Sequence, residues 1–247
     1  MMRALRLSAI LLGVCLLSGL GLRSGAVHGQ TPATFQGSSK GTPGPVSLHA
    51  GLAIVRGRSN GTANFTVSLV TQDLGATVSN SYNNRYLLID SVGAYNGAAA
   101  TLLSQDGSYF LDVTQASGPF QLTVEQPSPS SVQAVGQTSF SGKGQQVTSP
   151  FTLVPGSYTV TATNDSTALR VRMYALDDLG GSAVVSPQTG YYGDELIDTT
   201  IPPGSLSVPI TVSALGTNPD GTPINGVFII YMDAEGTGPG NWTVAVQ

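Results

Sequence analysis

The mature chain has almost no reactive chemistry to offer. Of its 247 residues one is cysteine, Cys15, and it lies in the apolar N-terminal run. Disulfides and thiolate metal sites are therefore excluded from the rest of the chain. Charge is scarce as well: Asp, Glu, Lys and Arg make up 10% of the chain. Exposed helix faces are normally rich in such residues, so helices are disfavoured. Two histidines occur, His28 and His49, which leaves little for general-base catalysis. After the leader there is no second long apolar stretch, so no further membrane span is expected.

Residues 1–29 read as a signal peptide. Arg3 and Arg6 start it, Leu7 to Leu22 runs uncharged and mostly apolar, and Ser24, Gly25 and Ala26 come next. That is the three-part secretory layout, with cleavage expected after Ala26 or Gly29. Cys15 sits within the apolar run between Val14 and Leu16, so it reads as leader rather than a lipid-attachment site. Arg3, Arg6 and Arg23 depart with the leader and all 14 acidic residues stay. The mature net charge of about −7 argues against nucleic-acid or anionic-membrane partners.

What is present is glycine (31 residues), abundant Ser, Thr and Val, and a period of two. Phe65-Thr-Val67-Ser-Leu69, Phe120-Gln-Leu122-Thr-Val124, Tyr158-Thr-Val160 and Leu169-Arg-Val171-Arg-Met173 alternate apolar and polar residues. Strands point successive side chains to opposite faces, so each run buries one face. Turn signals such as Asn60-Gly61, Asp106-Gly107 and Asp220-Gly221 separate them. Tyr191 to Ile197 makes one helical turn at most.

The chain also repeats itself. Placing Phe35 over Phe140 puts Gly37 on Gly142, Pro45 on Pro150, Leu48 on Leu153 and Gly51 on Gly156. Further on, Phe65 answers Leu169, Leu88-Ile89-Asp90 answers Leu196-Ile197-Asp198, and Phe120 answers Trp242. The expected organisation is all-β: two tandem antiparallel β-sandwiches, jelly-roll-like, at residues 34–126 and 136–247. A Pro- and Ser-rich linker at 127–135 joins them.

The stretches Phe140-Ser-Gly142, Pro150-Phe-Thr-Leu153, Gly156-Ser-Tyr158-Thr-Val160 and Asn241-Trp242-Thr-Val244 resemble an extracytoplasmic bacterial module. Val92-Gly-Ala-Tyr95 and Gly107-Ser-Tyr109 in the first copy carry the same resemblance. This module is found, often in tandem, in secreted and membrane-tethered proteins. It is loosely similar to jelly-roll accessory domains of secreted peptidases and glycoside-degrading enzymes. The resemblance implies an accessory module with no activity of its own.

Candidate sites are few. His49 precedes a turn and faces Val154 across the repeat, so it reads as a turn-flanking residue. A glycosidase reading needs two carboxylates, and the candidates are Asp90, Asp112, Glu125, Asp194, Glu195, Asp198 and Asp233. Asp90 and Asp198 share a repeat position, which points to a structural group capping a turn or strand end. Oxygen-rich loops suit calcium, and Asp177, Asp178, Asp194 and Glu195 are the candidate ligands. Tyr191 and Tyr192, flanked by Gly190 and Gly193, are the candidate sugar-stacking pair. Tyr82, Tyr86 and Tyr95 fall in an Asn-rich stretch read as loop, and Trp242 reads as core. The expectation is a secreted, non-catalytic binding, adhesion or structural protein with no cofactor unless calcium. Its partner would be a cell-surface protein or polysaccharide. The alternatives are a calcium-assisted carbohydrate-binding module and a hydrolase.

Overall fold

The structure is a computed structural model, and it describes residues 31–71, 85–103, 106–127, 138–165, 168–176, 195–212, 221, 226–234 and 240–247. The first eight strands are β1 (Ala33–Gly37), β2 (Val46–Leu48), β3 (Gly51–Ser59), β4 (Asn64–Thr71), β5 (Arg85–Val92), β6 (Tyr95–Leu103), β7 (Gly107–Gln115) and β8 (Phe120–Glu125). The remaining nine are β9 (Thr138–Lys143), β10 (Gln146–Val147), β11 (Phe151–Leu153), β12 (Gly156–Asn164), β13 (Leu169–Ala175), β14 (Glu195–Ile201), β15 (Gly204–Val212), β16 (Gly226–Ala234) and β17 (Asn241–Val246). No helix occurs among the described residues.

Strand order is that of a jelly roll, in which two four-stranded sheets share one core. In the first sandwich the sheets run β1-β8-β3-β6 and β2-β7-β4-β5. In the second they run β9-β17-β12-β15 and β10-β16-β13-β14, with β11 also on β16. All pairings are antiparallel. Gly51 opposes Leu103 as Gly156 opposes Val212, and Phe35 opposes Leu122 as Phe140 opposes Val244. Ser59 opposes Phe120 as Asn164 opposes Trp242. The two-residue alternation sends Phe65, Val67 and Leu69 into the first core and Leu169, Val171 and Met173 into the second.

Two aromatic rings fix the outer strands. Phe120 lies over Gly37 and Trp242 lies over Gly142, so that a Cβ at Gly37 would fall 2.5 Å from the Phe120 ring. Trp242 is buried, and its indole N–H donates to the Gly144 carbonyl at 2.8 Å. Glycine is needed at both places because the edge strand must slide under the ring.

A bulge interrupts the same strand pair in each sandwich. Val67 opposes Ile89 but Ser68 opposes Leu87, leaving Leu88 as the extra residue. Met173 opposes Ile197 and Tyr174 opposes Glu195, leaving Leu196 extra. Tyr86 and Tyr95, expected in a loop, sit in β5 and β6, and Glu195 opens strand β14 rather than a helical turn. Tyr95 escapes a strand reading because Asn96 and Gly97 beside it are turn-forming residues.

Substituting Gly37→Ala or Gly142→Ala forces the aromatic ring above it to move. Each change should lower stability by about 1–3 kcal/mol, measured by urea unfolding. Gly41→Ala, where a Cβ meets nothing within 4 Å, should leave the midpoint unchanged.

Candidate functional site

Among the described residues Gln145 makes most of the hydrogen bonds between the two sandwiches. Gln145 precedes β10 and enters the side of the first sandwich between β5 and β6. Its Oε1 accepts from the Tyr95 hydroxyl at 2.6 Å. Its Nε2 donates its two hydrogens to the carbonyl of the bulged Leu88 at 2.9 Å and to the Tyr231 oxygen at 2.5 Å, with Asp233 Oδ1 3.2 Å away. Its own carbonyl accepts from Ala98 N–H at 3.1 Å, and Gln146 Nε2 donates to Asn96 O at 3.3 Å. Gly97 allows this approach, since a Cβ there would stand 2.5 Å from the Gln145 carbonyl oxygen.

Around the glutamine the seam is apolar. Val147, Tyr174, Ile229 and Tyr231 of the second sandwich belong to the same buried cluster as Leu88, Tyr95 and Ala98 of the first. Burial, and then the nearby Asp233 carboxylate, push the phenols of Tyr95 and Tyr231 well above the usual tyrosine range. Both hydroxyls therefore stay protonated.

Beside the seam lies a half-open groove of about 1340 Å³. β5 forms one wall with Leu87, Asp90 and Val92; the end of β9 and the start of β10 form the other with Lys143 and Gln146. Arg172 and Asp233 also line it. Arg170 grips Asp198 with two bonds, Nε to Oδ1 at 2.6 Å and Nη2 to Oδ2 at 2.5 Å. Arg172 stands 3.7 Å from Asp198 and 3.6 Å from Asp233, with its guanidinium 5.6 Å from the centre of the Tyr231 ring. The Arg170 hydrogen bonds hold Asp198 below the usual carboxylate range. Burial, reinforced by the Asp198 charge, raises Glu195.

The sequence candidates divide sharply. Asp177, Asp178, Asp194, Tyr191 and Tyr192 lie outside the described residues. Glu195, the remaining calcium candidate, opens β14 opposite Tyr174. Among the described residues no group of three or more His, Cys, Asp or Glu is arranged to hold a metal ion. Asp90 and Asp198 cap no turn or strand end. They sit inside β5 and β14, where Asp90 accepts from Thr66 Oγ1 at 3.1 Å and Asp198 pairs with arginines. The register also differs, Asp90 facing Thr66 and Asp198 facing Arg172. Asp112 pairs with Arg85 at 3.1 Å and Glu125 with Arg56 at 2.8 Å. His49 lies at the β2–β3 turn, its backbone N–H donating to Gln126 Oε1 at 2.8 Å.

Replacing Gln145→Ala removes the amide shared by Tyr95, Tyr231 and the Leu88 carbonyl, and should cost about 2 kcal/mol in urea unfolding. Gly97→Ala should loosen the same seam. The two carboxylates predict opposite pH behaviour. Asp198 is depressed, so its contribution is full above the unfolded carboxylate pKa and lost as pH falls through its folded value. Asp198→Asn should therefore destabilise at neutral pH by about 2 kcal/mol, with the difference shrinking in acid. Glu195 is raised, so its contribution is present in acid and lost as pH rises through its folded value. Glu195→Gln should stabilise at neutral pH and be silent in acid, read from unfolding midpoints across pH.

No protein-family model and no curated protein matches the chain. Solved structures that it is similar to include infectious bursal disease virus Gx strain, at 12% identity and TM-score 0.23, covering 89% of this chain and 72% of that one. The CBM22-1-CBM22-2 tandem domain of Paenibacillus barcinonensis Xyn10C is 10% identical at TM-score 0.24, covering 90% and 94%. The PBSX exported protein XepA is 11% identical at TM-score 0.20, covering 89% and 86%. At such scores no function is carried over from them.

Proposed function

We propose that this chain is an exported, non-catalytic binding or structural protein made by duplication of one jelly-roll module. One observation carries the reading: seven of the eight described carboxylates are already engaged by the protein itself. Glu125, Asp198 and Asp233 are paired with arginines on neighbouring strands, and Asp112 with Arg85 across the intervening β4. Asp106 accepts from Ala50 N–H at 2.7 Å, Asp165 from Asn241 N–H at 2.7 Å, and Asp90 from Thr66. These groups hold strands and turns in register, which is what a scaffold requires; acid–base chemistry requires a proton-donating group aimed at open space. The signal-peptide pattern of residues 1–29 supports export, and the matched registers of the two sandwiches support duplication. A joint clasped by Gln145 supports a fixed two-module body that displays one face to a partner.

The test is a pair of assays on the mature chain. Ester, peptide and glycoside substrates should show no turnover above blank, and a glycan array read with and without chelator should show no calcium-dependent binding. Turnover abolished by Asp198→Asn but not by Asp90→Asn would overturn the reading in favour of a hydrolase. Chelator-sensitive glycan binding would overturn it in favour of a carbohydrate-binding module.

A further inference from the structure

The groove beside the seam borders an unfinished sheet edge. Among the described residues β5 is the outermost strand of its sheet and pairs only with β4. Gly93 N–H donates to the Ala63 carbonyl at 3.0 Å. Hydrogen bonding alternates along an antiparallel pair, so Ser91 and Ile89 bond towards β4. The peptide groups of Asp90 and Val92 then face away from it, and among the described residues no backbone group meets them. The next carbonyl along, on the bulged Leu88, is already taken by Gln145. This edge thus accepts hydrogen bonds from a neighbouring segment of polypeptide.

The side chains on the same stretch suit a partner strand. Leu87 is 62% exposed and Val92 70%, and both line the groove. Asp90, between them and exposed, accepts only the Thr66 hydroxyl and meets no cation among the described residues. Three other edges are blunted: Pro209 removes an N–H from β15, β2 has three residues, and Gln145 and Gln146 bond to the outer side of β6.

We propose that Asp90–Val92 adds one extended strand from a partner polypeptide, received in the groove between β5 and the β9–β10 wall. The strand carries an apolar residue beside Val92 and a basic residue beside Asp90, in the pattern apolar–x–basic, and it ends short of Leu88, whose carbonyl Gln145 holds. Backbone bonds to Asp90 and Val92 hold it, and cross-strand side-chain pairs select it. This rests on the binding reading above and names the partner's chemistry.

The test uses the full mature chain and an end-capped fluorescent peptide containing Val-Thr-Lys, with a second peptide carrying Glu for Lys. Anisotropy should show saturable binding of the lysine peptide, and amide exchange at Asp90 and Val92 should slow on binding. Asp90→Lys, an exposed position that leaves the core intact, should weaken the lysine peptide about fivefold and invert the preference towards the glutamate peptide. Val92→Pro, which deletes the outward N–H, should abolish binding. Failure of the lysine peptide to bind, or binding unchanged in both variants, would overturn the proposal. So would protection of the same amides by self-association of the chain or by a soluble glycan. A negative peptide result with no turnover removes this site and leaves the non-catalytic reading intact.

Discussion

The geometry of the molecule turns on the amide of Gln145. One side chain satisfies a tyrosine from each sandwich and the carbonyl freed by the Leu88 bulge. Polar groups at such a half-buried seam are costly when unpaired, so the three partners are stable only while the second sandwich is docked. The groove, the exposure of Leu87 and Val92, and the open peptide groups at Asp90 and Val92 are all set by where that docking stops.

Equivalent sheets in the two modules meet different surroundings. The outward face of the second module's β16 carries Ile229 and Tyr231, which join the first module's buried cluster. In the first module β7 carries Phe110 and Asp112 at comparable places. There the Gly41–Pro45 segment bonds back onto β7 through Gly41 and Pro43, and Arg85 closes on Asp112. One module covers its own sheet and the other relies on its neighbour, which makes the pair asymmetric although the strand order is the same.

Much of the fold was legible because its driving force is periodic. Alternation in Phe65–Leu69 and Leu169–Met173 marked strands and core faces, and the matches of Phe35 with Phe140 and Phe120 with Trp242 fall on strands of equal place in the two sheets. The seam was not legible in the same way. Gln145 meets Tyr95 and Tyr231, far away in the chain, and nothing in a polar, Gln-rich turn distinguishes a clasp from a solvated loop. A signal was nonetheless there: Val227-Phe-Ile-Ile-Tyr-Met232 is apolar at every position, and a strand apolar on both faces must be covered on both. Asp90 and Asp198 were matched by their neighbours Leu-Ile. Register separates them, because arginines at 170 and 172 give the second carboxylate charged partners where the first has Thr66. The calcium and sugar candidates at 177–178 and 191–194 fall outside the described residues, and only Glu195 has a place in the fold.

The central claim is that the two jelly rolls form one body locked at Gln145. Residual dipolar couplings collected from both sandwiches in a single aligned sample of the mature chain test it directly. A locked seam predicts one alignment tensor, equal in magnitude and orientation for the two modules. Two tensors of different magnitude would contradict it and would dissolve the groove as a defined surface.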